Sequence, residues 1–548
     1  MKNAFVSLDL RRRIPLFIIV FVFSLLDLSA PTTSRANVYA TDIRLNGGTT
    51  NLSVNPGSSI LIRYRLNEAA TAGVTVDILS GGIVIRSLTN APALKGTNTF
   101  VWDGTNSLGQ PAAGLLSVAI TARAVGYTNW TQLNDDTNAH VFAPRGIAVN
   151  RNTNSIYYGR IFIANANDGF DPNPITTPGD NVGMLKYNAD GTGAEEGIFS
   201  TGGYNWSHGD DFTDYFSPWK TEIGPDDRVY INDFVFQGTI LSFDQRISTN
   251  SLRIVLTTNN YPSTQAALDG FCLSGSATNM QIWVADSRNR QSGLGAGIRR
   301  WNLTSGGVVA SNDVGITVVT NGPGTDIDGS PNDIAIDATG AIYITQTNTS
   351  SGNRIFKFPA YAGIVESNAV WKIGTNDFTL DSACAINPDR SGTYLAVALT
   401  GSFNGLDYDN GATRILYASN GAPVVTLNTN NNDHHDVAWD NAGNVYTCDS
   451  YDLVWRIFSP PGSNQAVTVA VPTIQMGAFV PTLTTLSYSN AFLTFTLNGQ
   501  ANATYIIDRS STLFNWTPIA TNTSSSAARV ITVPAPPAFG VYRARLAQ

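Results

Sequence analysis

The sequence predicts an all-β protein built from three units, and three observations support this prediction. Charged residues make up only 14% of the 548 residues, and 49 glycines are available for tight turns. Segments such as SILIRYRLN (59–67) alternate apolar and polar residues, which is the pattern of half-buried strands. Finally, one strand-rich pattern recurs six times between residues 140 and 470.

Residues 1–36 are predicted to be a signal peptide. Three arginines at 11–13 precede an apolar run from 14 to 26, which is too short to span a bilayer comfortably. An uncleaved anchor is the alternative. We therefore expect a secreted, periplasmic or cell-surface protein with no membrane span in the mature chain. The net charge of −8, without a basic stripe, argues against a nucleic-acid partner.

Residues 41–127 read as the first β unit. Trp102 ends a strand, Asp103-Gly104 forms a turn dipeptide, and Gly109 and Gly114 punctuate the approach to the last strand. This W-D-G pattern resembles the FlgD-type Ig-like domain. The resemblance implies a spacer or assembly module, in which the Asp103 carboxylate shapes a turn.

Residues 140–470 contain the six repeats, clearest in SPNDIAIDATGAIYIT (330–345) and HHDVAWDNAGNVYTCD (434–449). Each repeat offers strands separated by polar turns, and four antiparallel strands repeated six times are typical of a six-bladed β-propeller. The segment resembles the NHL and gluconolactonase-like (senescence-marker type) propellers. Since this architecture hosts hydrolases, lyases and plain binding proteins, the fold leaves the activity open.

The phase of the repeats predicts a ring of side chains at the mouth of the central channel. Aligning the starts of the innermost strands gives Arg145, Trp219, Asp269, Asn332, Ser382 and His435. The following position adds Lys220, Asp333 and Asp436. Adjacent strand residues point to opposite sides, so only one of His434 and His435 is expected to face the channel.

Three kinds of chemistry are open at this ring. The gluconolactonase-like resemblance implies a divalent cation such as calcium on Asp269 and Asn332, which would polarise a lactone carbonyl. His435 with Asp436 and Arg145 would instead serve as an acid–base site. Simple ligand binding would use Trp219, Lys220, Asp269, Asn332, Asp333 and Ser382, together with Trp206 and His208 of an aromatic insert at 202–219.

Residues 471–548 are predicted to form a small Ig- or fibronectin-like β-sandwich anchored by Trp516 and Tyr542. The pattern ending in YRARL resembles C-terminal modules of secreted proteins from Verrucomicrobia and Planctomycetes. The three cysteines are too few for a disulfide framework and lack zinc-site spacing.

Two function classes follow from the sequence. The first is a binding or scaffold protein whose propeller face recognises an extracellular glycan, peptide or protein partner. The alternative is an enzyme acting at the central funnel, either a gluconolactonase-like hydrolase or a polysaccharide or lactone lyase. The cofactor is undetermined from the residues alone.

Overall fold

The structure is a computed structural model, and it describes most of the chain from residue 37 to residue 547. The described ranges are 37–134, 141–166, 182–206, 217–233, 238–261, 268–286, 297–321, 324–347, 354–374, 383–400, 411–428, 433–477, 481–498, 504–512, 514–523, 528–535 and 540–547. The predicted signal peptide (1–36) lies outside them, as do the predicted ligand-binding residues His208 and Ser382.

The described residues confirm the all-β fold with its three predicted units. Their helical elements are two single turns of 3-10 helix, Thr249–Ser251 and Thr258–Asn260. All other regular structure is β, arranged as two sandwiches and six four-stranded sheets.

The N-terminal sandwich packs a three-stranded sheet against a larger one. The first sheet contains Ala40–Leu45, Ile60–Leu66 and Gly96–Trp102. The second contains Leu52–Val54, Val74–Ser80, Ile83–Ala91, Gly114–Tyr127, Gly462–Val469 and Ile474–Met476. Alternating residues from both sheets, including Ile62, Val118 and Trp102, fill the core between them.

The W-D-G turn of this sandwich has the role that the sequence predicts for it. The buried Trp102 indole donates to the Thr105 carbonyl, at 2.9 Å. The Asp103 carboxylate accepts from the Thr105 backbone N–H, at 3.0 Å. Gly104 has φ +76°, and a Cβ there would lie 2.4 Å from the Ser58 carbonyl oxygen. Glycine is therefore required at this close approach.

Six four-stranded antiparallel sheets form the propeller, here named blades 1 to 6. Blade 1 contains Pro144–Val149, Ile161–Asn165, Gly183–Tyr187 and Phe199–Ser200. Blade 2 contains Thr221–Ile223, Val229–Asp233, Thr239–Phe243 and Arg253–Leu256. Blade 3 contains Leu268–Ser276, Asn279–Asp286, Gly297–Asn302 and Ile316–Thr320. Blade 4 contains Ser330–Ile336, Ile342–Thr347, Arg354–Phe358 and Trp371–Gly374. Blade 5 contains Ala383–Pro388, Tyr394–Leu399, Ala412–Tyr417 and Pro423–Leu427. Blade 6 contains His434–Trp439, Val445–Asp449, Val454–Ser459 and Thr131–Gln132.

The ring of blades is closed by a strand from before blade 1. Thr131–Gln132 is the outermost strand of blade 6, although it precedes the expected propeller boundary at residue 140. Asn134 extends the closure, because its side-chain amide donates to the Trp455 carbonyl at 2.9 Å. This closure joins the first and last blades, and the propeller keeps only short, protected strand edges.

The chain after blade 6 returns to the N-terminal sandwich. Gly462–Val469 pairs with Gly114–Tyr127, and Ile474–Met476 joins the same sheet. The strand pairing therefore ends the propeller at Ser459 and starts the C-terminal sandwich at Thr482, where the sequence placed this boundary at residues 470 and 471. The propeller is an insertion between two strands of the first sandwich.

The N-terminal sandwich docks on the propeller face opposite the channel mouth. The turn after the innermost strand of blade 6 contributes Asn444, whose amide donates to the Asn37 carbonyl at 3.0 Å. Arg65 pairs with Asp190 of blade 1 at 2.6 Å, with both side chains buried. The mouth itself lies at the other end of these strands and is left uncovered by this sandwich.

The C-terminal sandwich consists of two three-stranded sheets. They contain Thr482–Ser489, Phe492–Asn498 and Ala528–Pro534, facing Thr504–Ser510, Thr517–Thr523 and Val541–Leu546. Tyr542 packs on Phe495 of the core, with ring centroids 5.0 Å apart. Trp516 lies outside this core, under the guanidinium of Arg543 at 4.2 Å.

Candidate functional site

A β-bulge opens the innermost strand of the blades at the channel mouth. The strand register skips one residue in each of five blades: Arg145 in blade 1, Asp269 in blade 3, Asn332 in blade 4, Cys384 in blade 5 and His435 in blade 6. In blade 2, Trp219 and Lys220 together oppose Asn232. Such a bulge re-aims one side chain per strand, and here it builds the ring of the candidate site.

The blade 5 member of the ring differs from the prediction. The sequence assigned Ser382, which lies outside the described residues, whereas the bulge register places Cys384 at the equivalent position. The Cys384 side chain is partly exposed, while the other two cysteines, Cys272 and Cys448, are buried. The ring therefore carries a thiol that the sequence alignment did not assign to it.

Below the ring, small and charged residues alternate around the channel. The residues after the bulge are Gly146, Gly270 and Ala385 in the odd blades and Lys220, Asp333 and Asp436 in the even blades. A Cβ on Gly270 would lie 2.1 Å from Asp333 Oδ1. The odd blades are small here because the side chains of the even blades occupy the axis.

An ion triad plugs the channel at this level. Lys220 Nζ donates to Asp333 Oδ2 at 2.9 Å and to Asp436 Oδ1 at 2.6 Å. The second Asp436 oxygen accepts from the Ile147 N–H of blade 1, and Asp333 accepts from the Ile386 N–H of blade 5, both at 2.9 Å. One lysine and two carboxylates thus link five blades of the ring.

Burial and mutual contact govern the charges of the triad. Burial opposes the charged form of Lys220, but the two adjacent carboxylates outweigh it and hold the lysine pKa well above its usual value. Burial raises the pKa of Asp436 to about 6, against the lowering effect of Lys220. All three residues were predicted to contact ligand or to act in catalysis, and the structure buries them beneath the ring, at 0–3% exposure.

Arg145, Trp219, His435 and Asp433 form a cluster within the ring. His435 Nε2 lies 3.0 Å from Asp433 Oδ2 and also contacts the Arg145 guanidinium. The Trp219 and His435 rings are in edge-to-face contact, with 5.5 Å between their centroids. The Arg145 guanidinium carbon lies 5.2 Å from the centroid of the same indole. Asp433 was not predicted from the sequence.

Protonation within the cluster follows from these contacts. Burial, reinforced by the positive charge of Arg145, lowers the pKa of His435 below its usual value. Burial alone would raise the pKa of Asp433, but His435, Ser450 and Arg145 together hold it well below its usual range. At neutral pH the site therefore combines a neutral imidazole with an ionised carboxylate.

His434 lies away from the ring, as expected from strand alternation. Its side chain is fully buried, and its Nδ1 lies 2.7 Å from the Thr413 hydroxyl and 3.0 Å from the Thr447 hydroxyl. Burial lowers its pKa to about 4. His434 is a neutral packing residue between blades 5 and 6.

The aromatic insert contributes to packing where the structure describes it. Trp206 is only 2% exposed, and its indole donates to the Thr201 carbonyl at 3.0 Å. It packs on Phe243 with 6.4 Å between ring centroids, so its faces are not available for stacking on a ligand. Among the described residues of the insert (202–206 and 217–219), Trp219 is the aromatic side chain that reaches the ring.

The residues present do not fit the divalent cation that the gluconolactonase-like resemblance implies. In the described parts of the chain, no three His, Cys, Asp or Glu side chains are grouped so that they could hold a metal ion. Asn332 donates its amide to the Ala383 carbonyl at 2.9 Å, and the axial carboxylates are already paired with Lys220. Asp269 and Asn332 are instead polar members of the ring.

A separate cleft lies between blades 2 and 3. It has a volume of about 340 Å³ and is lined mainly by polar residues. Its two arginines are engaged in linking strands, since Arg228 donates to the Ser242 carbonyl at 2.9 Å and Arg253 to the Gly306 carbonyl at 3.2 Å. We therefore assign the candidate site to the ring.

Across the described ranges, no helix has the length and apolar character required to cross a bilayer.

Comparisons with known proteins give limited information. No family model matches the chain, and no curated protein matches it. Similar solved structures include the WD40 β-propeller domain of Doa1, at 13% identity over 61% of this chain and 97% of that chain, with a TM-score of 0.32. A Niastella koreensis GH74 enzyme has 11% identity, coverage of 68% and 59%, and a TM-score of 0.33.

A third similar structure is KlAtg21 in complex with the coiled-coil of AgAtg16. Its identity is 10%, with coverage of 70% of this chain and 100% of that chain, and the TM-score is 0.30. The six-bladed β-propeller, inserted into the first of two β-sandwiches, is accordingly identified from the strand pairing of this chain.

Proposed function

We propose that this protein is an exported binding protein whose propeller recognises a glycan, peptide or protein partner at the mouth of its central channel. The observation that carries the proposal is a plugged channel beneath a ring of mostly part-exposed side chains. The Lys220 triad fills the axis, and the bulge residues above it present different polar groups at one face. Such a face suits recognition of a surface group.

The composition of the ring supports binding of a polar ligand. Trp219 is partly exposed and offers a flat apolar surface, and Arg145 supplies a cation beside it. Asp269, Asp433 and Asn332 add oxygen acceptors around the same mouth. An aromatic platform with mixed charges can stack on a sugar ring or an apolar side chain and orient it by hydrogen bonds.

The gluconolactonase-like alternative lacks comparable support. It would need a divalent cation near the axis, where the Lys220 ammonium already pairs with both Asp333 and Asp436.

The binding proposal is tested with the full chain on glycan and peptide arrays, followed by titration of the best hit. Trp219→Ala should weaken binding at least tenfold, because it removes the stacking surface. Phe514→Ala is the matched control, since Phe514 is an aromatic residue of the C-terminal sandwich that is 89% exposed. Equal affinity of the Trp219 and Phe514 variants for the hit would exclude the ring as its binding site.

Export is proposed from the N-terminal pattern alone. The experiment is fractionation of the producing cell, with N-terminal sequencing of the recovered protein. A new N-terminus near residue 31 or 37 would support it, whereas an intact Met1 in the cytoplasm would rule it out.

A further inference from the structure

A cysteine of blade 5 and a histidine and an aspartate of blade 6 lie in contact, one after another, at the channel mouth. Cys384 Sγ of blade 5 lies 3.9 Å from His435 Nδ1 of blade 6, and His435 Nε2 lies 3.0 Å from Asp433 Oδ2. Cys384 and His435 are both bulge residues, so the same backbone irregularity turns both toward the mouth. The order is thiol, imidazole and carboxylate.

His435 Nε2 has two charged neighbours of opposite kind. The Asp433 carboxylate accepts from the Ser450 hydroxyl at 2.6 Å and faces Nε2 with the same oxygen, while the Arg145 guanidinium, which can only donate, contacts the same Nε2. The geometry is compatible with either imidazole tautomer, and the proposal below uses the one in which Nε2–H donates to the ionised Asp433 carboxylate, a charge-assisted bond. The Nδ1 lone pair then faces the Cys384 thiol, as a general base must.

We propose that Cys384 is a nucleophile for acyl transfer from esters or thioesters, with His435 as its general base and Asp433 as the residue that positions the imidazole. The Cys384 S–H proton passes to His435 Nδ1 as Sγ bonds to the carbonyl carbon. The bond from that carbon to the alcohol or thiol then breaks, and the leaving group takes the proton from His435. Water, activated by His435, hydrolyses the acyl-cysteine and restores the thiol.

The surroundings of the pair fit this role. Burial raises the pKa of Cys384, so the resting group is the thiol and the nucleophile arises only by proton transfer. His435 is available to accept that proton because burial and Arg145 keep it neutral. The groups facing His435 are Arg145 of blade 1, Cys384 of blade 5, and Asp433 and Asp449 of blade 6. Arg145 is the cation that can balance charge developing on the carbonyl oxygen.

The experiment uses p-nitrophenyl acetate and the full chain, with release of nitrophenolate and peptide mapping of the acetyl group as readouts. We expect a burst of nitrophenolate and acetylation of Cys384, with Cys272 and Cys448 as internal controls because both are buried. The burst rate should level off above the pKa of His435. An unassisted Cys384 thiol, whose pKa burial raises above the usual value of about 8.5, would instead gain about tenfold per pH unit through pH 8.

Two variants test the partners of the thiol. Asp433→Asn should slow acetylation at least tenfold, because the amide no longer holds the proton on Nε2, and Asp433→Glu should restore part of the rate. His435→Gln should remove the plateau in the pH profile. Acetyl groups spread equally over the three cysteines, or a rate that keeps rising through pH 8 in the native chain, would overturn the proposal. Acetylation of Cys384 is measured independently of partner binding, because the binding proposal is tested separately with the Trp219→Ala variant.

Discussion

At the scale of single residues, the structure is governed by how it neutralises buried charge. Lys220 is only 3% exposed, so its ammonium is stabilised by its ion pairs with Asp333 and Asp436. Removing one partner of a buried ion group is costly, because the remaining charges lose their compensation. A surface pair of the same type loses little, because water replaces the partner.

Lys220→Met should therefore lower the free energy of unfolding by about 3–5 kcal/mol at pH 7.5. The deficit should shrink at pH 5, since two adjacent carboxylates without a cation take up a proton. Denaturant unfolding at both pH values measures the effect. Lys372→Met is the control, because Lys372 pairs with Asp326 at 2.6 Å while 54% exposed, and a loss of at most about 1 kcal/mol is expected. Equal losses in the two variants would contradict a stabilising role for the triad.

His434 makes the fold sensitive to acid. Its pKa of about 4 lies below the unfolded value of about 6.5, so the folded state holds fewer protons. The stabilising contribution is present above pH 6.5 and is lost as the pH falls through 4. At pH 5 the loss amounts to about 2 kcal/mol.

This acid sensitivity is tested with His434→Asn. The variant keeps a polar group near Thr413 but cannot titrate. The difference in unfolding free energy between native chain and variant should therefore narrow by about 2 kcal/mol from pH 7.5 to pH 5. A difference that is constant with pH would show that His434 is not held neutral.

At the scale of strands and blades, the channel is organised by alternation between neighbouring blades. Small residues in the odd blades make room for the charged side chains of the even ones. The blade pattern itself is predictable from sequence, because six copies agree in phase. Cys384 was missed because the residues before blade 5 lack the polar-then-charged pair seen at Asn332-Asp333 and His435-Asp436. The small residue Ala385, equivalent to Gly146 and Gly270, is the signal that could have placed it.

Gly270→Ala should destabilise the fold by about 1–3 kcal/mol, because the new Cβ would meet Asp333 and the Asn332 carbonyl at 2.1–2.6 Å. Thermal or denaturant unfolding measures the change. The matched control is Gly374→Ala, where a Cβ would meet nothing within 4 Å and φ is not in the left-handed region. The Gly374 variant should be neutral, and an equal loss in both would argue against close packing at the channel.

Asp433 illustrates the limit of reasoning from local sequence. It lies two positions before His435, and residues at i and i+2 of a strand share a side. This spacing was available in the sequence. What the sequence lacked was the bulge, which depends on pairing with Val445–Asp449 and re-aims His435 toward its neighbours.

At the scale of the whole molecule, the propeller and the N-terminal sandwich are joined into one body. Strands on both sides of the propeller belong to the same sandwich sheet, and Arg65 and Asn444 contribute contacts across the interface. This arrangement was not predictable, because strands such as Gly462–Val469 alternate like any other and their partner lies over 300 residues away. In the described residues, strands of the C-terminal sandwich pair only with one another.

Calorimetry should therefore show two unfolding transitions, a large one for residues 37–477 and a small one for residues 481–547. Ile62→Ala should shift only the large transition, and Ile507→Ala only the small one. Both residues are fully buried, in the N-terminal and C-terminal cores respectively, so each substitution should cost about 2–5 kcal/mol. A shift of the same transition by both variants would show that the C-terminal sandwich is not independent.

The insertion of the propeller between two strands of the sandwich also determines how the molecule carries mechanical load. The chain enters the sandwich at Ala40–Leu45 and leaves it at Ile474–Met476, so both ends of this body lie in the same sandwich. Tension applied between an N-terminal attachment and the C-terminal module would pass through the sandwich strands and bypass the blades. The ring at the channel mouth, which is the proposed binding site, would then keep its shape while the strands of the N-terminal sandwich bear the tension.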